Sequence, residues 1–347
     1  MQALILAGGF GTRLRPLTLD TPKPVVSLVN RPILAYQIEL LKRAGITDII
    51  LSLNYQPDKI QAVMGDGQQY GVKIRYVVEP KPLGTAGAVK FAEKLITETT
   101  VILNGDNLIN LDIAEVTNFH KQHKALATIV SMTMENPLGY GLIEIDKNNH
   151  ILRFLEKPKA EDLAKLAINT VNAGTYVFEP GVLDFIPANQ SASFEYDVFP
   201  KLLQQKQNFL AFISNDSYWL DVGTPPRYLQ AHQDIINSRV SGFRGADYRL
   251  QSEISATAEI SENSIIGKNC KIANGAKIEN SVLGENVALG VGVSIKNSVI
   301  GSHTEISDFA NITDALIGKS CQIGKHSIIN QNKVLGDLSV LTDYSQI

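Results

Sequence analysis

Two different hydrophobic rhythms divide the chain. Over roughly the first 235 residues, short apolar runs at 3–6, 48–53, 74–78 and 100–103 alternate with stretches at 32–44 and 85–95 whose apolar positions recur at helical spacing. Such alternation predicts βαβ units, hence a mostly parallel, doubly wound sheet that binds ligands beyond the carboxyl ends of its strands. From Ile254 onward aliphatic residues return every six positions: Ile254, Ile260, Ile266, Ile272 and Ile278. After slips the period resumes as Val287, Val293, Val299, then Ile300, Ile306, Ile312, then Ile317, Ile323, Ile329. Small or compact residues often follow four places later, as Ala258, Ser264, Cys270, Ala276, Thr304, Ala310, Cys321 and Ser327 do. A helix cannot keep a period of six, but short strands turning corners can, each coil stacking its aliphatics on the next. Residues 237–251, with Gly242, Gly245 and several Arg and Asp residues, hold neither rhythm and read as a linker.

The six-residue pattern resembles the hexapeptide repeat of left-handed parallel β-helices, which implies three hexapeptides per coil; the resemblance covers nearly all of residues 252–335. The chain thus divides into a Rossmann-like α/β domain at 1–236, a linker at 237–251 and a β-helix at 252–347. With 347 residues and 44% apolar content, two cores of that kind are affordable. A net charge of −3 and a pI near 6.1 supply no broad basic field, which argues against nucleic acid and against an anionic membrane as partners. Any bound phosphate must therefore meet a local cluster. The apolar run at 3–7 is too short for a signal segment and no stretch approaches a membrane span, so a cytoplasmic location is expected. Cys270 and Cys321 lie far apart inside repeats and read as small core residues, without a disulfide.

After the first strand comes a glycine-rich loop, Ala7-Gly8-Gly9-Phe10-Gly11-Thr12-Arg13-Leu14-Arg15-Pro16-Leu17-Thr18, and then Thr21-Pro22-Lys23-Pro24. Glycines let the main chain approach a polyphosphate and point N–H groups at it, while Arg13, Arg15 and Lys23 neutralise its charge. The loop lacks the Lys-Ser or Lys-Thr ending of the usual phosphate loop and does not fit dinucleotide-fingerprint spacing. Read alone, it is also a plain strand-to-helix turn with solvated cations. Its full run from Gly8 to Pro24 resembles the signature of the sugar-1-phosphate nucleotidylyltransferases. That resemblance implies that Arg13 and Lys23 contact the reacting phosphates, and that Leu6, Ala7, Gly8, Gly9, Gly11 and Thr12 hold the nucleotide.

Bringing two phosphate anions together calls for a divalent cation on carboxylates. Asp106, in Asn104-Gly105-Asp106-Asn107 after an apolar run, and Asp221, in Trp219-Leu220-Asp221-Val222-Gly223, each read singly as a turn residue. Both match the family's metal motifs, which implies Mg²⁺ on Asp106 and Asp221. Gly139-Tyr140-Gly141, Phe154-Leu155-Glu156-Lys157-Pro158 and Asn172-Ala173-Gly174 resemble its sugar-side motifs. By that resemblance Lys157 holds the sugar phosphate, Glu156 and Asn172 take sugar hydroxyls and the Gly141 main chain approaches the ring.

Glu79, opening Glu79-Pro80-Lys81-Pro82-Leu83-Gly84-Thr85, matches the base-reading segment of the family, together with Gly84 and Thr85. A glutamate can accept both N–H groups of guanine's pairing edge, whereas glutamine suits thymine or uracil better. The chain is most similar to mannose-1-phosphate guanylyltransferases, which implies GTP, mannose 1-phosphate and GDP-mannose. Glucose-1-phosphate thymidylyl- or uridylyltransfer is the alternative, and a catalytically silent subunit is an alternative of another class. His303 and His326 raise acyl transfer in the repeats, against a structural role. With the aliphatic ladder ending near Ile329, the β-helix is expected to join copies into a homo-oligomer and to stand apart from catalysis. A chain cut after Ile236 is then expected to keep its nucleotide and metal sites.

Overall fold

The computed structural model describes residues 1–159, 161 and 168–347, which form two compact units. One comprises Met1–Gly9 and Gln37–Trp219; the other comprises Phe10–Tyr36 and Leu220–Ile347. The cut is not the linear one that the two rhythms imply. Residues 10–36 and 220–236 precede the expected boundary, yet they cluster with the repeats.

In the first unit the expected runs are all strands. Thr100–Asn104, Gln2–Leu6, Asp48–Leu53 and Lys73–Val78 lie side by side in that order and pair in parallel, with the first strand of the chain inside the sheet. Building outward from an inner strand in both directions is double winding. Ala3, Leu4 and Ile5 have no exposure, as expected of a parallel strand covered on both faces. Beyond Thr100–Asn104 the sheet turns mixed: Thr170–Phe178 pairs antiparallel with Thr100–Asn104 and with Ala127–Thr133. The two expected helical stretches hold helices Ile33–Arg43 and Gly84–Phe91. Ala86 and Val89 of the second helix pack with Leu4, Ile50 and Ile102 into a core that includes Phe194, Phe199 and Phe209.

In the second unit three parallel sheets stack coil upon coil. Ile254 pairs with Ile272 and Ile260 with Ile278, eighteen residues on. From there the coils shorten to seventeen, as in Ile272 with Leu289 and Ile278 with Ile295, and return to eighteen at Ile317 with Leu335. The slips in the period are thus single five-residue steps per coil, such as 278 to 283 and 295 to 300. Leu283 and Leu289 are the ladder residues here, and Val287 and Val293 fill the small-residue slots four places after them, both without exposure. The ladder also runs past Ile329: Leu335, Leu341 and Ile347 pack against the same core.

The corners are turned by residues in the left-handed region, among them Asn269, Asn286, His303 and Ser320, with φ of 55°, 57°, 61° and 54°. Asparagine adopts that conformation at little cost, which explains its abundance. His326 is a corner residue as well, its ring stacked between Phe309 and Tyr344 with centroids 5.2 and 5.0 Å away. Both histidines considered for acyl transfer therefore occupy corners of the coil. Cys270 and Cys321 are buried and unpaired. Among the described residues, no helix is long and apolar enough to cross a membrane.

Candidate active site

In the first unit Ala7, Gly8, Gly9, Glu79 and Asp106 follow the carboxyl ends of the parallel strands, where backbone groups run out of strand partners. Gly105 and Asp106 form the turn that leaves Thr100–Asn104, and the Gly105 N–H donates to the Leu6 carbonyl at 2.9 Å. A Cβ on Gly105 would lie 2.6 Å from that oxygen, so only glycine lets the turn come so near the first strand. Gln37 holds the turn from below. Its Nε2 donates to the carbonyls of Asn104 and Asn107 at 2.7 and 2.9 Å, bracketing Asp106. Asn107 and Trp219 in turn both donate to the Ala173 carbonyl, at 2.8 and 2.9 Å.

Glu79 is almost fully buried, 6% exposed, beside Gly8. Its Oε1 accepts from the Ser52 hydroxyl and its Oε2 from the Leu83 N–H, each at 3.0 Å. Burial pushes its carboxyl above the usual glutamate range, opposed by those two donors. The carboxylate therefore braces its own loop first, and one lone pair on each oxygen remains for a ligand. Gly84 and Thr85 open the helix that follows. The Thr85 hydroxyl donates to Glu195 Oε2 at 3.2 Å and accepts from the Phe194 N–H at 3.0 Å.

The sugar-side candidates come together. A Cβ on Gly141 would sit 2.7 Å from Glu156 Oε2, and the Asn172 N–H donates to the Gly141 carbonyl at 2.9 Å. Lys157 Nζ lies 3.1 Å from Glu156 Oε1; the lysine is largely exposed and the glutamate largely covered. Asn172 Nδ2 donates to the Tyr176 hydroxyl at 3.0 Å. Tyr176 has no exposure, and burial, followed by the nearby Glu195 carboxylate, holds its proton far above the usual tyrosine range. The Glu195 carboxylate thus accepts from Thr85 and also acts on the Tyr176 proton.

In the second unit, Asp221 stands among cations. Arg227 Nη1 and Arg13 Nη2 lie 3.2 and 3.5 Å from its Oδ2, and Lys23 Nζ lies 3.9 Å from its Oδ1. Lys23 is itself 7% exposed. The cradle is tight: a Cβ on Gly223 would be 2.7 Å from Asp221 Oδ1 and 2.8 Å from Arg13 Nη2. Gly11 adopts φ of 64° just before the turn Thr12–Leu14, and its carbonyl accepts from the Thr18 hydroxyl at 2.7 Å. A family description of nucleotidyl transferases fits residues 2–238, and that of the EIF2B subunit epsilon LbH domain fits residues 244–347.

The chain belongs to the nucleotidyl transferase family. Its repeats form a left-handed β-helix domain. The mannose-1-phosphate guanyltransferase 2 of Candida glabrata is 38% identical over 277 residues, 78% of this chain and 73% of that one. The mannose-1-phosphate guanylyltransferase of Mycobacterium tuberculosis is 34% identical over 286 residues, 80% and 78% of the two. Among solved structures, HddC from Yersinia pseudotuberculosis complexed with GMP-PN superposes with a TM-score of 0.57 at 31% identity, covering 67% of this chain and 98% of that one.

Enzymes of this family use a divalent metal ion. The residues present suit one. Asp221 Oδ1 is buried and accepts no hydrogen bond, which leaves a bare hard oxygen donor. Among the described residues no three His, Cys, Asp or Glu side chains cluster to hold a metal, so substrate oxygens and water would complete its shell. Reading by motif missed Gln37, Tyr176 and Arg227. Gln37 had a signal, a lone amide on the apolar side of a helix, and it is 2% exposed. Arg227 had none beyond its place six residues after Asp221.

Proposed function

We propose that this chain transfers GMP from GTP to mannose 1-phosphate, giving GDP-mannose and pyrophosphate. The observation that carries the reading is the Asp221 carboxylate ringed by Arg13, Lys23 and Arg227. Those charges match a triphosphate whose β- and γ-phosphates must leave together. Relatives that are named mannose-1-phosphate guanyltransferases, at 34 to 42% identity, support the choice of base and sugar. So does Glu79, a buried carboxylate with one lone pair per oxygen left for the two N–H groups of guanine.

In this reading the main chain from Leu6 to Thr12, with Gly84 and Thr85, holds the nucleotide. Lys157 meets the phosphate of the sugar, while Glu156 and Asn172 take its hydroxyls beside Gly141. Asp106 and Asp221 would hold Mg²⁺, which when bound neutralises charge at the reacting phosphates. A phosphate oxygen of mannose 1-phosphate attacks the α-phosphorus of GTP, and the bond from that phosphorus to the bridging oxygen breaks, releasing pyrophosphate. Arg13 and Lys23 stabilise the charge that grows on the leaving group. No activated nucleophile is needed, so one displacement suffices and configuration inverts at a chiral α-phosphorothioate. The protein works in the cytoplasm as a homo-oligomer, a reading supported by the exposed apolar side chains of Val291, Phe309 and Ile328 on the coils.

The test is pyrophosphate release across a panel of triphosphates and sugar 1-phosphates, with acetyl-coenzyme A consumption followed alongside. GTP with mannose 1-phosphate is expected to be fastest, with no acetyl-coenzyme A consumed. Faster turnover of dTTP or UTP with glucose 1-phosphate would overturn the choice of base and sugar. Silence with every pair would make the chain a regulatory subunit.

A further inference from the structure

The loop Phe10–Tyr36 belongs to the unit of the repeats, and its attachments there are specific. Lys319 Nζ, from the β-helix, donates to the Thr21 hydroxyl at 2.9 Å across 298 positions of sequence. Asn30 Nδ2 donates to the Leu283 carbonyl at 3.0 Å and to the Ala246 carbonyl at 3.2 Å. Gly336 faces Pro16 so closely that a Cβ there would lie 2.9 Å from the proline Cβ. At the loop's far end the Val29 carbonyl accepts from the Ala246 N–H at 3.0 Å, and the Val29 N–H donates to His232 Nδ1 at 3.3 Å. Thr21 is two residues from Lys23, whose ammonium faces Asp221.

Between Gly11 and Leu28 the loop contains only short 3₁₀ turns and one two-residue strand. Ordering such a segment costs backbone entropy, and short turns supply few hydrogen bonds against it. Groups meant to meet a polyphosphate act best when held in place before it arrives. We infer that the β-helix is a positioning element of nucleotidyl transfer: its coils at Leu283, Lys319 and Gly336 hold the loop in the form that sets Arg13 and Lys23 beside Asp221. This rests on the reading that Arg13 and Lys23 engage the triphosphate. It replaces the expectation that the repeats stand apart from catalysis.

The test uses the full chain with Lys319→Met, Lys319→Met combined with Asn30→Gly, and Lys319→Arg. Glycine keeps the positive φ of 62° at position 30 while removing the amide. The double variant is expected to lower kcat tenfold or more and to raise KM for GTP at least threefold. KM for mannose 1-phosphate should stay within twofold, the melting temperature should hold, and Lys319→Arg should recover most of the rate. Lys277→Met, which removes an exposed ion pair with Glu259 elsewhere on the β-helix, should change neither constant. If the double variant does not fold, Lys319→Met alone is compared with Lys319→Arg. Normal kcat and KM for GTP in Lys319→Met and in the double variant overturn the inference, as does an equal rise in both KM values accompanied by a lower melting temperature. Arg13→Ala is measured in parallel. If it alone is inactive, the positioning role fails while the site reading stands; if it is fully active, the site reading fails and the positioning role with it.

Discussion

Asp221→Asn keeps the shape of the side chain but removes the charge that Arg13, Lys23 and Arg227 converge on. We expect turnover to fall at least ~100-fold, about 2.7 kcal/mol of transition-state stabilisation, for this variant and for Asp106→Asn alike. Near-normal rates for both across a magnesium titration would remove the metal from these two residues. Glu79→Gln is a different experiment, because the carboxylate also braces Ser52 and Leu83. The expected loss in kcat/KM for GTP is about tenfold or more, from roughly 1–3 kcal/mol of base discrimination, with a smaller loss for UTP. Equal losses for both triphosphates would mean that Glu79 only holds its loop. The identity of Glu79 was legible in the chain, whereas its partners were not, since Ser52 lies 27 positions away and nothing about a serine in a strand announces a carboxylate.

The helix Pro225–Ile236 carries a titration that the motifs left unmarked. His232 on it is 1% exposed, and burial drives its pKa down from 6.5 to about 3. Its Nδ1 accepts from the Val29 N–H, so a protonated ring would set one donor against another. The unfolded chain binds the proton first. Stability from the neutral ring is therefore complete above pH 6.5 and drains away as pH falls toward 3, by up to about 1.4 kcal/mol per pH unit. Glutamine at 232 can still accept from Val29 without titrating. Chemical denaturation between pH 6.5 and about 4 should show a shallower acid loss for His232→Gln than for the native chain, and parallel profiles would sink the assignment. At this scale the strands and helices of the α/β part were readable because their periods are local properties. The coils were readable in kind but not in phase. A five-residue step and a six-residue step differ by one corner residue, and only the pairing of Ile278 with Ile295 shows which aliphatic is the rung.

Over the whole molecule, a chain cut after Ile236 loses Ala246, Leu283, Lys319 and Gly336, every one of which touches the loop Phe10–Tyr36. We expect light scattering to find an oligomer for the full chain, and the shortened chain to be inactive or aggregated. A folded, fully active monomeric fragment would contradict the seating of the loop. What the sequence determined by itself was the set of local devices: apolar runs of strand length, a six-residue ladder, glycines and carboxylates at strand ends. These follow from side-chain type and spacing along one segment, where backbone geometry leaves few choices. The tertiary structure alone decided that Gln37 clamps the turn of Asp106, that Thr85 reaches Glu195, and that a loop near the start of the chain is seated on coils near its end. Such contacts join residues tens to hundreds of positions apart, and no local period records them, because they arise only when separately formed elements pack.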